Sequence, residues 1–253
     1  MTELALNVSG LTKRFGGLTA VNNVSLQIAK GSLHAVIGPN GAGKSTLIHL
    51  LSGDLPPTSG SIHLHGRDIS HLPPDQRSRA GIGRSYQKTN IFPTFSVLEN
   101  CRLAAQSREP HAFNLFRSAS SYGPITQAAE QALTAVGLQH RAHISAGFMS
   151  HGEQRQLEIA MSLATRPQVL LLDEPLAGMG AEEATNMVSL LQGLIKDHAV
   201  LLVEHDMDAV FALADVLTVM VNGCVLESGT PEQIRNSAEV QRAYLGNEEN
   251  EHA

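Results

Sequence analysis

One stretch, Gly38-Pro39-Asn40-Gly41-Ala42-Gly43-Lys44-Ser45-Thr46, constrains the fold more than anything else in the chain. It matches the spacing G-x-x-x-x-G-K-[ST], in which glycines let successive backbone N–H groups converge on phosphate oxygens without obstruction by side chains. The apolar run at 33–37 precedes it and reads as a buried strand, and residues 46–51 read as the opening of a helix. A helix placed there presents its N-terminus, with its partial positive charge, to the same phosphates. In such a loop Lys44 reaches the β- and γ-phosphates of a nucleotide, and the Ser45 hydroxyl faces Mg²⁺. A strand feeding directly into a helix through this turn belongs to an α/β fold.

A second signal sits at 169–174, where the apolar residues Val169, Leu170, Leu171 and Leu172 lead into Asp173 and Glu174. Two carboxylates leaving the end of a buried strand suit phosphoryl chemistry. Asp173 would hold Mg²⁺ directly or through water, and Glu174 would act as general base toward an attacking water. Further strand-sized runs lie at 4–8, 24–28, 61–64, 200–203, 217–221 and 224–228. Several are apolar throughout, as expected of strands covered on both faces of a mostly parallel sheet. The N-terminal runs and the pair flanking Asn222-Gly223 read as antiparallel, because Asn-Gly is a hairpin turn. Residues 89–164 differ: 128–133 and 153–163 are good helix sequence, and no strand stands out. The expectation is an α/β nucleotide-binding core at about 1–88 and 165–246, mostly parallel with an N-terminal antiparallel part. A helical insertion occupies 89–164, with a loop at 110–124, and a polar tail occupies 247–253.

Charge and cysteine usage remove several classes. Lys plus Arg number 18 against 24 Asp plus Glu, a net charge of −6. A chain that grips a nucleic-acid backbone needs a basic surplus, so no nucleic-acid partner is expected. Cys101 and Cys224 form no CxxC pattern and read as two buried or idle thiols in a reducing cytosol. The N-terminus shows no basic segment followed by an apolar one, so no signal peptide is expected. The longest apolar runs, at 169–172 and 199–203, fall far short of the roughly 18–20 residues of a membrane span. His63 and His65 stand at strand spacing, but no third ligand accompanies them, and both are expected on a solvated strand face.

Between the two motifs lies Met149-Ser150-His151-Gly152-Glu153-Gln154-Arg155. With Gln87 before it, Asp173-Glu174 after it and His205 beyond a further apolar strand, the order resembles that of ABC-transporter ATPases over nearly the whole chain, about 4–246. The resemblance implies that this is a P-loop NTPase core and assigns roles residue by residue. Phe15 resembles the aromatic that stacks on adenine. Gln87 resembles the glutamine that contacts Mg²⁺ and senses the membrane subunits. Ser150 and Gly152 resemble the signature residues that contact the γ-phosphate of ATP held by a second subunit. His205 resembles the histidine that contacts the γ-phosphate from the same subunit. Ser150 also precedes a strong helix, so its end of that helix can receive an anion on physical grounds. Two departures stand out. His151 and Glu153 replace the usual glycine and glutamine, and Gly180 occupies the position of an aspartate that helps couple paired sites.

Phe15-Gly16-Gly17-Leu18-Thr19-Ala20-Val21, Val97-Leu98-Glu99-Asn100, Leu157-Glu158-Ile159-Ala160 and Glu174-Pro175-Leu176-Ala177-Gly178-Met179 occur together. They resemble the ATPase subunits of branched-chain amino-acid uptake systems and of urea and amide importers. The ATPase of lipopolysaccharide export shares this look and is the rival reading, with a non-transport ABC ATPase as a more distant one. The resemblance implies a peripheral protein on the cytoplasmic face of the membrane, using ATP and Mg²⁺. It implies separate permease subunits and a second ATPase subunit, with a solute-binding protein acting indirectly. The surface around Gln87 and 89–99, including Ile91-Phe92-Pro93, is expected to receive the permease.

Overall fold

The computed structural model describes residues 3–86, 90–108 and 123–242. Two sheets and one helical layer share the chain. The first sheet is antiparallel, in the order β2-β1-β4-β5, from β1 (Leu4–Phe15), β2 (Leu18–Ala29), β4 (Ser59–Leu64) and β5 (Arg67–Asp68). The second has six strands in the order β10-β9-β3-β8-β7-β6. These are β3 (Leu33–Ile37), β6 (Ile82–Arg84), β7 (Val169–Asp173), β8 (Ala199–Val203), β9 (Val216–Val221) and β10 (Cys224–Gly229). Its pairings are parallel except for the β9–β10 hairpin, which turns at Asn222-Gly223 as expected.

Every residue of β3, β7 and β8 is buried, because each strand feeds two apolar cores. Leu33, Ala35 and Ile37 of β3, Leu170 and Leu172 of β7, and Val200 and Leu202 of β8 join the core under the helices. Val36, Leu171, Leu201 and Val203 point the other way, into a core shared with the antiparallel sheet and α1 (Lys44–Ser52). This period-2 division explains why the runs are apolar at every position rather than alternating.

From Asn90 to Ala164 the named elements among the described residues are all helical: α3 (Val97–Gln106), α4 (Gly123–Ala135), α5 (His151–Ala164) and single 3-10 turns at Gln139–Arg141 and Ala146–Phe148. Their apolar faces merge with the helical side of the large sheet in one continuous core. The chain then adds α6 (Ala181–Ile195), α7 (Met207–Leu213) and α8 (Pro231–Arg235). No helix among the described residues is long and apolar enough to cross a membrane.

Several local expectations change. The strand expected at 4–8 runs on to Phe15 through polar Lys13 and Arg14, because β2 pairs with it along its length. Gly123 and Pro124 open α4 instead of ending a loop, and the rest of that loop tract, like the tail, lies outside the described residues. His65 leaves the strand face: it sits past β4 in a turn, with φ 46°. His63 remains on β4 but is half-buried, and no cluster of metal ligands is found among the described residues. Cys101 is buried, which pushes its thiol up to about 12, whereas Cys224 is half-buried.

The short helix α2 (Pro74–Ala80) also went unread, because its sequence is almost wholly polar. Its anchor is Arg77, which is buried. The Arg77 guanidinium donates to the carbonyls of Leu50 (2.5 Å), Leu51 (2.9 Å), Ser70 (2.6 Å) and Leu72 (2.9 Å). It thereby satisfies the last turn of α1 and ties it to the antiparallel sheet. We expect Arg77→Leu to lower unfolding free energy by about 2–4 kcal/mol, since the carbonyls would stay buried without donors. Urea unfolding measures this, and an unchanged midpoint would contradict the anchor.

Candidate nucleotide-binding and hydrolysis site

The parallel register decides where the chemical groups emerge. Val36 of β3 pairs with Val203 of β8, and Val203 pairs with Asp173 of β7. The glycine-rich loop, Glu174 and the 204–206 loop therefore leave the sheet side by side at its C-terminal edge. Ligand sites of open α/β sheets form at that edge.

The loop from Gly38 to Gly43 curls into α1, whose N-cap is Gly43 at φ 99°. A side chain there would place its Cβ 2.4 Å from the Ala20 carbonyl oxygen, so glycine is required twice, for backbone angle and for space. The hairpin turn supports the loop from the side: Gly223 N–H donates to Ala42 O (3.0 Å), and Asn22 N–H donates to Gly223 O (2.8 Å). Lys44 lies across the loop, its ammonium donating to the carbonyls of Gly38 (2.5 Å) and Pro39 (3.0 Å).

Beside the loop opens a cleft of about 550 Å³, with Phe15, Leu18, Asn40, Lys44, Ser45 and Glu174 among its walls. Phe15 ends β1 and is 46% exposed, and the Lys13 ammonium lies 5.1 Å from its ring centre. An exposed aromatic at one end and a ring of backbone amides at the other fit a flat base joined to phosphates. Leu18, Thr19, Ala20, Asn222 and Gly223 also line this cleft. Sequence reading placed Asn222-Gly223 as a hairpin but not as a wall of the site.

Burial lowers the Lys44 pKa, and the nearby Glu174 and Asp173 carboxylates partly restore it. Burial raises the Asp173 pKa, opposed chiefly by Arg84, whose guanidinium lies 3.8 Å from Oδ2. Asp173 Oδ1 is buried and has no hydrogen-bond partner among the described residues. Asp173 does not line the cleft itself but lies close to Lys44 and Glu174, which do, and such a carboxylate oxygen suits a hydrated cation such as Mg²⁺. Glu174 takes a left-handed φ of 48° while its N–H donates to Val203 O (2.8 Å). That uncommon backbone turns its side chain out of the strand line and into the cleft wall.

Ser150 and Gly152 lie elsewhere. They border a separate cavity of about 170 Å³, with Met179 and Glu183, that shares no lining residue with the phosphate cleft. Ser150 is the exposed N-cap of α5: its hydroxyl accepts from Glu153 N–H (3.2 Å), and the Glu153 carboxylate accepts from Ser150 N–H (2.9 Å). Arg141 grips the same carboxylate through Nε (3.0 Å) and Nη2 (3.1 Å). This gives Glu153, the departure noted in the sequence, a use that a neutral glutamine fills less well. A Cβ at Gly152 would stand 2.7 Å from Glu183 Oε1, the end of a flexible side chain that can swing aside. His151 packs toward Gly178. His205 is exposed at the sheet edge and does not line the cleft. Gln87 lies outside the described residues.

The flanks of that glutamine are held by α5 through a buried pair that sequence reading passed over. Arg155 donates to Tyr86 O (2.6 Å) and to Glu158 Oε2 (3.0 Å), while Glu158 Oε1 accepts from Asn90 N–H (2.6 Å). Arg84 in turn lies over the Tyr86 ring at 4.6 Å.

A family model described as ABC transporter matches residues 21–177, and one described as branched-chain amino acid ATP-binding cassette transporter matches residues 224–250. The chain is 41% identical to the high-affinity branched-chain amino acid transport ATP-binding protein BraF of Pseudomonas aeruginosa, over 97% of this chain and 99% of that protein. It is 40% identical to LivG of Escherichia coli K12, described in the same words, over the same shares. A nucleotide-free ATP-binding cassette from an ABC transporter matches with TM-score 0.85 and 29% identity, over 95% of this chain and 98% of that one. A cassette in its ADP conformation matches with TM-score 0.84 and 28% identity, over 97% and 100%.

The Arg141–Glu153 pair is partly solvated, so its expected worth is small, about 0.3–1 kcal/mol. Glu153→Gln should lower stability by that much, and the loss should vanish in an Arg141→Gln background. A double-mutant cycle in urea reads the coupling, and a zero coupling would contradict the role given to Glu153.

Proposed function

The chain belongs to the ABC-transporter ATP-binding family, and from that premise we propose that it is the ATP-hydrolysing subunit of an importer for branched-chain amino acids or a related small polar solute. The observation that carries the chemistry is the single cleft joining the Gly38–Thr46 loop to Glu174. The solute class rests on the match at 224–250 and on the 40–41% identical relatives, which favour uptake over lipopolysaccharide export.

In this reading Lys44 and the loop amides gather the triphosphate charge, and Phe15 takes the adenine. Ser45, Asp173 and Gln87 would hold Mg²⁺, which would supply positive charge to offset that of the phosphates. Glu174 orients the attacking water, and His205 reaches the γ-phosphate once ATP is in place. Such catalysis is mainly positioning and charge stabilisation.

Ser150 and Gly152 do not line the cleft of their own chain. They serve the nucleotide of a second ATPase subunit, this chain or a related one, so that two ATP molecules are sandwiched head to tail. The helices α3, α4 and α5 form the arm that carries this signature end and moves between ATP and permease. Phe92 and Phe95, stacked at 5.2 Å between ring centres, are both exposed, and Phe148 is 84% exposed. These aromatics, with Pro93 between them, offer an apolar seat for a permease segment at the cytoplasmic face, whereas Ile91 packs on the core.

Two outcomes test the chemistry. Glu174→Gln should bind ATP with near wild-type affinity yet lose at least about 100-fold in turnover, as expected for loss of a general base. Undiminished turnover contradicts that role. Lys44→Ala should abolish tight ATP binding in calorimetry, and an unchanged Kd contradicts it. The assembly is tested by capture from detergent-solubilised native membranes, with Glu174→Gln held by Mg·ATP as bait. Permease chains and an ATPase partner should be recovered. Envelope-export components would favour the rival, and soluble factors alone would contradict transport.

A further inference from the structure

Glu204 follows β8 directly and its side chain is fully buried. Its two oxygens serve two different loops. Oε1 accepts from Leu176 N–H (2.8 Å), in the loop that follows Glu174. Oε2 accepts from the N–H groups of His205 (3.0 Å) and Asp206 (3.4 Å). The His205 imidazole Nδ1 stands 3.7 Å from the same Oε2. Asp206 then caps α7 through Ala209 N–H (3.0 Å), so the loop is fixed at both ends.

A buried carboxylate is an expensive way to finish a strand. Burial raises the pKa of Glu204, against hydrogen bonds that favour the charged form. An apolar residue there would avoid the desolvation but leave the Leu176 and His205 amides with no acceptor. What the carboxylate supplies, and neither a backbone carbonyl nor a short polar side chain can, is one rigid group with an acceptor facing each loop. Together with the Glu174 N–H bond to Val203 O, it adds a second rung between β7 and β8 beyond the end of the ladder.

We propose that Glu204 is a positioning residue that ties the Glu174 loop to the His205 loop, so that the group orienting water and the group reaching the γ-phosphate move as one piece. This rests on the roles given above to Glu174 and His205. The loop at 38–46 and Phe15, which bind ATP within this chain, do not touch Glu204, so the tie should matter for turnover and not for affinity.

The test uses the full chain as wild type, Glu204→Gln, His205→Ala and the double variant. Glutamine keeps the shape, but whichever way the amide turns, an NH₂ faces backbone N–H groups on one loop. The expected result is a fall in kcat of about tenfold or more for Glu204→Gln, with KM for ATP within about twofold. In the His205→Ala background the same change should cost less than about twofold, because tied groups act as a unit. Unchanged kcat in Glu204→Gln, or effects that multiply in the double variant, overturns the tie. Native-state hydrogen exchange decides independently of any variant's folding: in wild type, the Leu176 and His205 amides should open with one free energy and one denaturant dependence. Separate openings overturn the proposal. If His205→Ala alone keeps wild-type kcat, the role of His205 fails, while the exchange result still stands or falls for the tie itself.

Discussion

The register of three parallel strands is the constraint on which the rest depends. Val36, Val203 and Asp173 lie in one row across β3, β8 and β7. Just beyond that row, Glu204 and Glu174 one residue on and the phosphate loop two residues on, all emerge at the same edge. A slip of one residue in any pairing would turn a chemical group into the apolar core, since side chains alternate between the two faces. Burial on both faces makes that slip costly, because each strand contributes to two cores. Core packing and site geometry are thus one requirement. The electrostatics follow from the same placement: two carboxylates sit beside a loop built to collect negative charge, and Lys44 and Arg84 offset them.

Much of this was legible in the residues. β3 spans 33–37 as read, and α1 contains the helix read at 46–51 but opens two residues earlier, at Lys44, because a fully apolar run followed by the glycine-rich loop leaves little freedom. The Asn222-Gly223 turn was legible for the same reason. The elements that went unread carry no periodic signal. β6 has three residues, one of them Gly83. α2 is polar except at its ends, and its one inward residue is an arginine. The extension of β1 to Phe15 depends on pairing with β2, not on its own composition.

Site residues divide the same way. Asn40 to Thr46, Phe15 and Glu174 meet in one cleft, as their motifs implied. Ser150 and Gly152 lie outside it and border a separate cavity with Met179 and Glu183. The supporting residues were invisible: Glu204 and the Arg155–Glu158 pair look like ordinary surface charges until burial shows otherwise. The departures in the signature acquire physical reasons. Glu153 joins a capping box to an ion pair with Arg141, and His151 packs beside Gly178, whose φ of 77° favours glycine.

The account stands on the claim that this sheet edge is an ATP site. A structure of the wild-type chain with Mg²⁺ and a non-hydrolysable ATP analogue tests it most directly. The account predicts phosphates wrapped by the backbone of residues 38–46, the base against Phe15, and Glu174 facing the γ-phosphate. A nucleotide bound elsewhere, for example in the cavity of about 220 Å³ between Arg84 and Glu158, would contradict it.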